Sequence, residues 1–345
     1  MTGDVSTPTT AMSATDKPAD AATTTAPPIT ISNMSLGLMH KLIAAGTIWI
    51  PLLGTAAALI HAWQVGMDSI DITLLVVMFV LTNLGLEFGF HRNLAHRTFE
   101  TSKAMQLFFA VTASMAGTGR VLFWVANHRR HHIHSDTPGD PHSPHVRMGR
   151  HGPEQLGFWR GMWHAHYGHI LSAHTVNCTL FARDINQNPL LRKVNDLYLP
   201  LVVAGLLIPA AIGGLLKGTW MGAWEGLLWG GFVRMFLVHQ ATWGLASFSH
   251  RFGPSPFDTK DQSANNIWVA LATFGSGWQN NHHAFPQSAY LGLKWWEIDM
   301  TAWVIAAFAK VGLVWNVRRP TAAQIEAKRI KPRIPDELTA HPPSR

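Results

Sequence analysis

Long apolar runs separated by polar segments are the main pattern of this 345-residue chain. The runs cover residues 36–63, 70–90, 198–216 and 224–248. A helix over the second run would be roughly 31 Å long, which is about the thickness of the hydrocarbon core of a bilayer. We therefore predict four transmembrane helices.

Two further apolar stretches contain too many polar residues to be predicted as spans. The stretch 105–126 includes Arg120, and the stretch 295–315 includes Glu297 and Asp299. Charged residues are costly at the centre of a bilayer but are tolerated at its surface. We predict that the first stretch forms a re-entrant or interfacial helix and that the second forms an interfacial helix.

The positions of the basic residues predict the orientation. The loop 64–69 has no Lys or Arg, and the loop 217–223 has only Lys217, whereas most other basic residues lie at the N-terminus, in 91–197 or after 250. Cytoplasmic loops of membrane proteins are enriched in Lys and Arg. Both termini and both large polar segments are therefore predicted to be cytoplasmic, with two helical hairpins that support one helical cytosolic cap.

The ends of the chain differ from its centre in composition. Residues 1–33 are rich in Thr, Ala, Ser and Pro and have no apolar run, which predicts a disordered tail without a cleavable signal peptide. The membrane domain is predicted over 34–317. Residues 318–345 are predicted to form a basic C-terminal tail.

Composition supports a membrane protein and excludes several other classes. Only 14% of the residues are charged, 47% are hydrophobic and 15 are Trp. The net charge of +7 does not indicate nucleic-acid binding, because the basic residues are scattered between apolar segments. The single Cys178 excludes a disulfide framework and a Cys-based metal site, whereas 20 His residues offer nitrogen ligands.

Histidine is concentrated where polar segments meet the predicted spans. In the segment 127–136, His131 and His132 follow His128 by three and four positions, so a helix would place all three on roughly one face. Imidazole is a good ligand for Fe, Zn, Cu and Ni, and three on one face indicate part of a metal site. A basic, solvated surface turn is the alternative for this segment alone.

Other histidines are predicted to reach the same membrane face from separated parts of the chain. The complete set is His91, His96, His128, His131, His132, His250, His282 and His283. One ion takes about four to six ligands, so eight imidazoles indicate two metal ions. A nitrogen-rich pair favours iron that activates O₂, because a zinc pair for hydrolysis usually recruits carboxylates.

Three sequence motifs add a family resemblance. The segments HRNLAH, HRRHH and NNHHAFP resemble the three histidine boxes of the membrane fatty acyl desaturase family, which includes the stearoyl-CoA desaturases, and the similarity covers roughly residues 45–315. The resemblance implies an all-α integral membrane protein whose four transmembrane helices support a cytosolic cap with a non-haem diiron site. It also implies that the eight histidines above are the iron ligands.

Two positions depart from the family pattern. The third box usually begins with another His, where this chain has Gln279, and the fourth span usually carries an Asn where this chain has Ala246. By the resemblance, both losses affect mainly one metal. Gln279 could bind through its amide oxygen as a weaker, replaced ligand. We hypothesise that the second iron is bound more weakly or has a more open coordination position.

Four other groups of residues receive weaker assignments. Trp124, one turn before His128, and His239 are predicted to line a substrate channel. His134 is predicted to be a bystander. The cluster around His164 and His166 is predicted to pack in the cap.

The resemblance implies an enzyme that uses O₂ and two electrons to introduce a double bond into an acyl-CoA or acyl-lipid, for which delta-9 desaturation is one candidate. A hydroxylase, acetylenase or oxidative decarboxylase on the same scaffold is the alternative. A separate ferredoxin, rubredoxin or cytochrome b5-type protein would donate the electrons. A metal transporter is disfavoured because the histidines collect at one face and do not thread several spans, and a non-catalytic binding protein is the remaining alternative.

Overall fold

The computed structural model describes residues 28–32, 37–149, 152–172 and 174–330. These residues are mostly helical, which confirms the predicted fold class. In chain order the helices are α1 (Gly37–Val65), α2 (Ser69–Leu84), π1 (Gly85–Ala95), α3 (Lys103–Ser114), α4 (Val121–His134), α5 (Phe158–Trp163), π2 (His164–Gly168), α6 (Cys178–Phe181), α7 (Arg183–Gln187), α8 (Pro189–Asp196), α9 (Tyr198–Lys217), α10 (Trp220–Gly226), π3 (Leu227–Val233), α11 (Arg234–Ser247), α12 (Ile267–Ala272), α13 (Gln279–Ala284), α14 (Met300–Lys310) and α15 (Ala322–Lys328).

Short antiparallel strand pairs complete the described structure. The strands are β1 (Thr30–Ser32), β2 (Glu100–Thr101), β3 (Val146–Gly149), β4 (Gly152–Gln155), β5 (His174–Val176) and β6 (Val314–Trp315). Strand β1 pairs with β5, β2 with β6, and β3 with β4. Each pair joins two segments of the polar cap and leaves the helices to form the core.

Within the described part of the chain, three helices are long and apolar enough to cross a membrane. They cover Lys41–Val65, Ser69–Ala95 and Tyr198–Lys217 and correspond to three of the predicted spans. Large apolar side chains along them are exposed, among them Leu53 and Leu215. An apolar exterior is expected where lipid replaces water as the solvent.

The fourth predicted span is also helical, but its composition is more polar. Residues 220–247 form one uninterrupted helix through α10, π3 and α11, and it is not among the three helices of the described chain that are apolar enough to cross a membrane. Arg234 is fully buried and donates hydrogen bonds to the carbonyls of Met115 (2.8 Å) and Gly205 (2.6 Å). Its charge therefore faces protein, and the fourth span stays a prediction.

A polar network joins the helices at the end opposite the histidines. Asp68 caps α2 by accepting hydrogen bonds from two backbone N–H groups of its first turn. The ammonium of Lys217 lies 2.6 Å from carboxylate oxygens of both Asp71 and Glu225, and His61 contacts Glu225 at 2.9 Å. The network connects α1, α2, α9 and α10. Buried charges of this kind are tolerated because each has a partner.

The two stretches predicted as interfacial helices form α3 with the beginning of α4, and α14. Their aromatic residues pack on the first histidine segment: the Phe88 ring lies 4.2 Å from that of Phe109 and 5.8 Å from that of Phe308. Both stretches are therefore mainly helical, but the first, predicted as one helix, is divided into two by the turn at 115–120. Their depth in a membrane stays a prediction.

Most of both predicted tails lies outside the described residues. In the N-terminal segment, 1–27 and 33 are not described, while Thr30–Ser32 forms the strand that pairs with His174–Val176. In the C-terminal segment, α15 is described and 331–345 is not. Ordered structure therefore extends into both segments.

Candidate metal centre

All eight predicted ligands converge at one end of the helices. His91 lies in π1 and His96 directly follows it, α4 carries the second box, His250 follows α11, and α13 carries the third box. The wider π-helical turn occurs frequently at functional sites, because it turns side chains away from the regular helical stripe. The structure brings the eight together, and their role as ligands stays a prediction.

The first group contains the five imidazoles of His91, His96, His128, His132 and His282. Their Nε2 atoms form a chain of close approaches: 2.7 Å from His96 to His128, 3.1 Å from His128 to His132, 2.9 Å from His132 to His282, and 3.1 Å from His282 to His91. Two nitrogens bound at about 2.1 Å to one ion, at right angles, would lie roughly 3 Å apart. The spacing therefore fits one shared metal ion.

The protonation of this group supports the same conclusion. Burial, followed by repulsion from neighbouring histidines, lowers the pKa values of His96, His128, His132 and His282 well below the usual value. These four rings are therefore neutral. His128 Nε2 faces the Nε2 atoms of both His96 and His132, so hydrogen bonds between neutral rings can satisfy only some of the five Nε2 atoms. A cation at the centre of the group would accept the lone pairs of all five.

The second group contains His131, His250 and His283. Their ring centroids form a triangle with sides of 5.0 to 5.1 Å. His250 Nε2 is buried and has no hydrogen-bond partner among the described residues. An unsatisfied buried nitrogen of this kind is costly unless it binds an ion, so this group also fits a metal.

Each imidazole of the second group is held by a carboxylate on its other nitrogen. Nδ1 of His131 contacts Asp140 at 3.0 Å, that of His250 contacts Asp136 at 2.8 Å, and that of His283 contacts Asp261 at 2.5 Å. Such contacts fix the tautomer with the proton on Nδ1 and direct the Nε2 lone pair inward.

The three aspartates are ionised. Burial acts to raise their pKa values, but the contacts with the histidines outweigh it and lower the pKa of each one. For His131, burial acts to lower the pKa and the neighbouring Asp140 raises it above the usual value. Burial dominates at His283 and lowers its pKa to about 4.

Sequence reasoning missed the carboxylates. Glu87, whose Oε2 lies 3.1 Å from His91 Nδ1, is four residues earlier on the same helical face, so spacing could have identified it. Asp136 lies at the end of the second histidine segment. Asp261 is 22 residues from His283 in an irregular loop, and no local pattern indicates their contact.

One of the two departures from the family pattern, Gln279, lies at the second group. The Gln279 side chain is buried, with its amide nitrogen 3.0 Å from His283 Nε2. Ala246 is buried in α11 and offers no donor atom. The structure therefore places Gln279 beside His283 of the second group, while Ala246 precedes His250 by four residues in the sequence.

The two residues predicted to line a channel differ in position. Trp124 stacks on His128, with ring centroids 5.1 Å apart and an angle of 18°, so it flanks the first group. His239 belongs to neither group: its Nε2 lies 2.9 Å from the Ala116 carbonyl and its ring packs on Trp243. Its contacts are those of helix packing, and both channel assignments stay predictions.

Two other cap histidines, His166 and His142, differ in their contacts. His166 contacts Ser247 at 2.8 Å and Gln240 at 3.1 Å. His142 stacks on His131 and could form a further small group with His131 and Asp140. Because Asp140 already holds His131, we assign this further group to the support of the second.

Comparison with known proteins places this site in a family. A family model described as fatty acid desaturase matches residues 71–319. The chain belongs to the fatty acid desaturase family. Fatty acid desaturases are oxidoreductases of lipid metabolism, and the three apolar helices make this member a membrane protein.

Named relatives show a range of activities. The desaturase chain is 46% identical over 281 residues to a hex-5-enoyl acyl-carrier-protein acetylenase from Moorena producens (strain JHB), covering 81% of this chain and 87% of the relative. It is 35% identical over 246 residues to an sn-1 stearoyl-lipid 9-desaturase from Anabaena variabilis, covering 71% and 82%. It is 36% identical over 265 residues to an icosanoyl-CoA 5-desaturase from Limnanthes douglasii, covering 76% and 69%.

Proposed function

We propose that this protein is an O₂-dependent acyl-chain desaturase with two iron ions. The observation that carries the proposal is the way in which neighbouring histidines divide between the two groups. His131 and His132 are adjacent on α4, and His282 and His283 are adjacent on α13, yet each pair contributes one ring to each group. This division supports two metal positions side by side.

The chemistry would convert two neighbouring methylenes, O₂, two electrons and two protons into an alkene and two molecules of water. When bound, the iron pair would supply the oxidising power for this conversion. The chain would supply geometry: the five-imidazole and three-imidazole groups hold the two positions, and the four carboxylates keep protons on Nδ1. A separate ferredoxin, rubredoxin or cytochrome b5-type protein would supply the electrons.

An acetylenase is the second candidate. The relative that is 46% identical to this chain is named as an acetylenase of an acyl-carrier-protein substrate. The reaction also removes one hydrogen from each of two neighbouring carbons, but these are the vinylic hydrogens of an alkene, so the same metal centre would serve. The two candidates differ only in the acyl chain that the protein accepts.

Lipid profiling separates these functions. We expect expression in a host without desaturases, together with a compatible electron donor, to yield a new monoene in total acyl chains analysed by mass spectrometry. A triple bond formed only when monoenoic chains are fed would replace desaturase by acetylenase. A hydroxylated acyl chain, or an unchanged profile in the presence of folded protein and active donor, would contradict both.

The metal centre and both termini are proposed to be cytoplasmic. The loop before Ser69 and the first histidine segment lie at opposite ends of the 27-residue helix Ser69–Ala95, which is long enough to separate the two faces of a bilayer. In a Cys178→Ser background, Met67→Cys should react with a membrane-impermeant thiol reagent in intact cells. Lys103→Cys is the matched control and should react only after lysis; the reverse pattern would contradict the orientation.

A further inference from the structure

The two imidazole groups have unequal sets of donors. The first has five rings, and among the described residues only His91 has a carboxylate, that of Glu87, on its other nitrogen. The second has three rings, and all three are held by carboxylates. A carboxylate on the far nitrogen makes an imidazole a stronger ligand. The carboxylate does not itself add a metal donor, so the second position has three imidazole donors where the first has five.

Gln279 lies where a further donor of the second group is required. It precedes His283 by four residues on α13, which is the spacing of His128 and His132 on α4. The polar ends of the two pairs are separated by nearly the same distance: 3.1 Å between the Nε2 atoms of His128 and His132, and 3.0 Å between Nε2 of Gln279 and Nε2 of His283. Gln279 is 4% exposed, so solvent does not compete for its amide.

The hydrogen bond of Gln279 changes when a cation is present. The proton of His283 lies on Nδ1 beside Asp261, so its Nε2 accepts from the Gln279 amide. A cation would take that lone pair and leave the amide N–H pointing at a positive charge. Rotation of the amide by 180° replaces Nε2 by Oε1, which has lone pairs to donate.

We infer that Gln279 is the fourth protein ligand of the second metal position, through Oε1, and that this position holds iron less tightly than the first. The inference rests on the diiron centre proposed above. An amide oxygen is neutral and less suited to iron than imidazole. Ala246 provides no donor to compensate, so the second position also keeps more open coordination sites.

Iron retention tests the inference without reference to activity. The purified protein, loaded with ferrous iron without oxygen, is equilibrated with increasing chelator, and iron per chain is measured. We expect two steps, in which one iron leaves at lower chelator concentration than the other. Gln279→Ala should move the first step to a chelator concentration lower by more than about ten-fold, because loss of a direct ligand should weaken the site more than loss of a group that only orients one. Gln279→His should move that step in the opposite direction and bring the two together.

Two further variants make the test decisive. Gln287→Ala changes an exposed glutamine near the same helix and should leave both steps in place. Gln279→Glu preserves the side-chain shape and adds a negative charge, so it should move the first step to higher chelator concentration. This variant tests the inference even if Gln279→His fails to fold. Release of two irons in one step, or a Gln279→Ala curve that matches wild type, would overturn the inference and leave the proposed function standing. Release of iron in two steps from a protein that forms no acyl product would instead contradict the proposed desaturase function and leave the inference about Gln279 standing.

Discussion

His131→Ala is expected to abolish product formation. The imidazole is buried in the second group, where it faces His250 and His283 with ring centroids about 5 Å away. Its loss would leave only two imidazoles at a position that already has an amide in place of a ring. Removing a group that merely orients a ligand costs roughly 10- to 100-fold in metal affinity or activity. Loss of the ligand itself should exceed that range, as measured by product per folded protein.

His134→Ala is the matched control for His131→Ala. It removes an imidazole from the same helix, outside both groups, and should retain activity. The iron content adds a readout that activity does not give: His131→Ala should keep one firmly held iron, in the five-imidazole position. The Asp140 carboxylate remains bonded to the N–H groups of Asp136 and His142, so the cap should stay folded. Retained product in His131→Ala would contradict the assignment of this ligand.

The histidines were predictable because two independent patterns agree on them. Their spacing within each segment fits a helical face, and the distribution of Lys and Arg predicts that the segments lie on one side of the membrane. The division between two groups was not predictable, since it depends on how α4 and α13 face each other. His132 lies 4.6 Å from His282 and 4.5 Å from His283, measured between ring centroids, and this arrangement arises only from packing.

Hydropathy was sufficient to predict three of the four spans. Three apolar runs correspond to helices of sufficient length and apolar composition. In the fourth run, Arg234 finds carbonyl partners on α9 and at the end of α3, so its charge is satisfied by residues that are distant in the sequence. The Asp261 carboxylate likewise has its partner, His283, far away in the sequence. Polar groups whose partners are remote in sequence can be recognised only after folding.

Asp299→Ala is expected to destabilise the protein strongly, because it removes the anchor of the first histidine segment. Asp299 and Arg92 are 2% and 1% exposed and form two hydrogen bonds, of 2.7 Å and 3.0 Å. The carboxylate also accepts from the backbone N–H groups of Leu291 and Ala302. Breaking a buried pair by removing one partner costs about 3–5 kcal/mol. The melting temperature in detergent should fall by roughly 10 °C.

Glu154→Ala is the matched control for an exposed ion pair. Glu154 contacts Arg147 at 2.8 Å, with side chains that are 34% and 40% exposed, and such pairs contribute at most about 1 kcal/mol. A fall in melting temperature for Asp299→Ala no larger than that for Glu154→Ala would contradict the expected role. If Asp299→Ala does not accumulate, Arg92→Met tests the same pair and should be less severe, because Asp299 keeps its backbone donors.

The consequence of Asp299→Ala should extend to the metal centre. Arg92 directly follows His91, and its guanidinium also donates to the Ala289 carbonyl at 2.7 Å, so it joins π1 to the segment that follows the third box. Gly275, with a φ of +126°, makes room for this contact, since a Cβ there would lie 2.3 Å from Asp299 Oδ1. Loosening this junction displaces His91 relative to His282. We therefore expect Arg92→Met to release iron from the five-imidazole position more easily. Gln279→Ala should instead weaken the three-imidazole position. The two variants should therefore shift different steps of the same chelation curve.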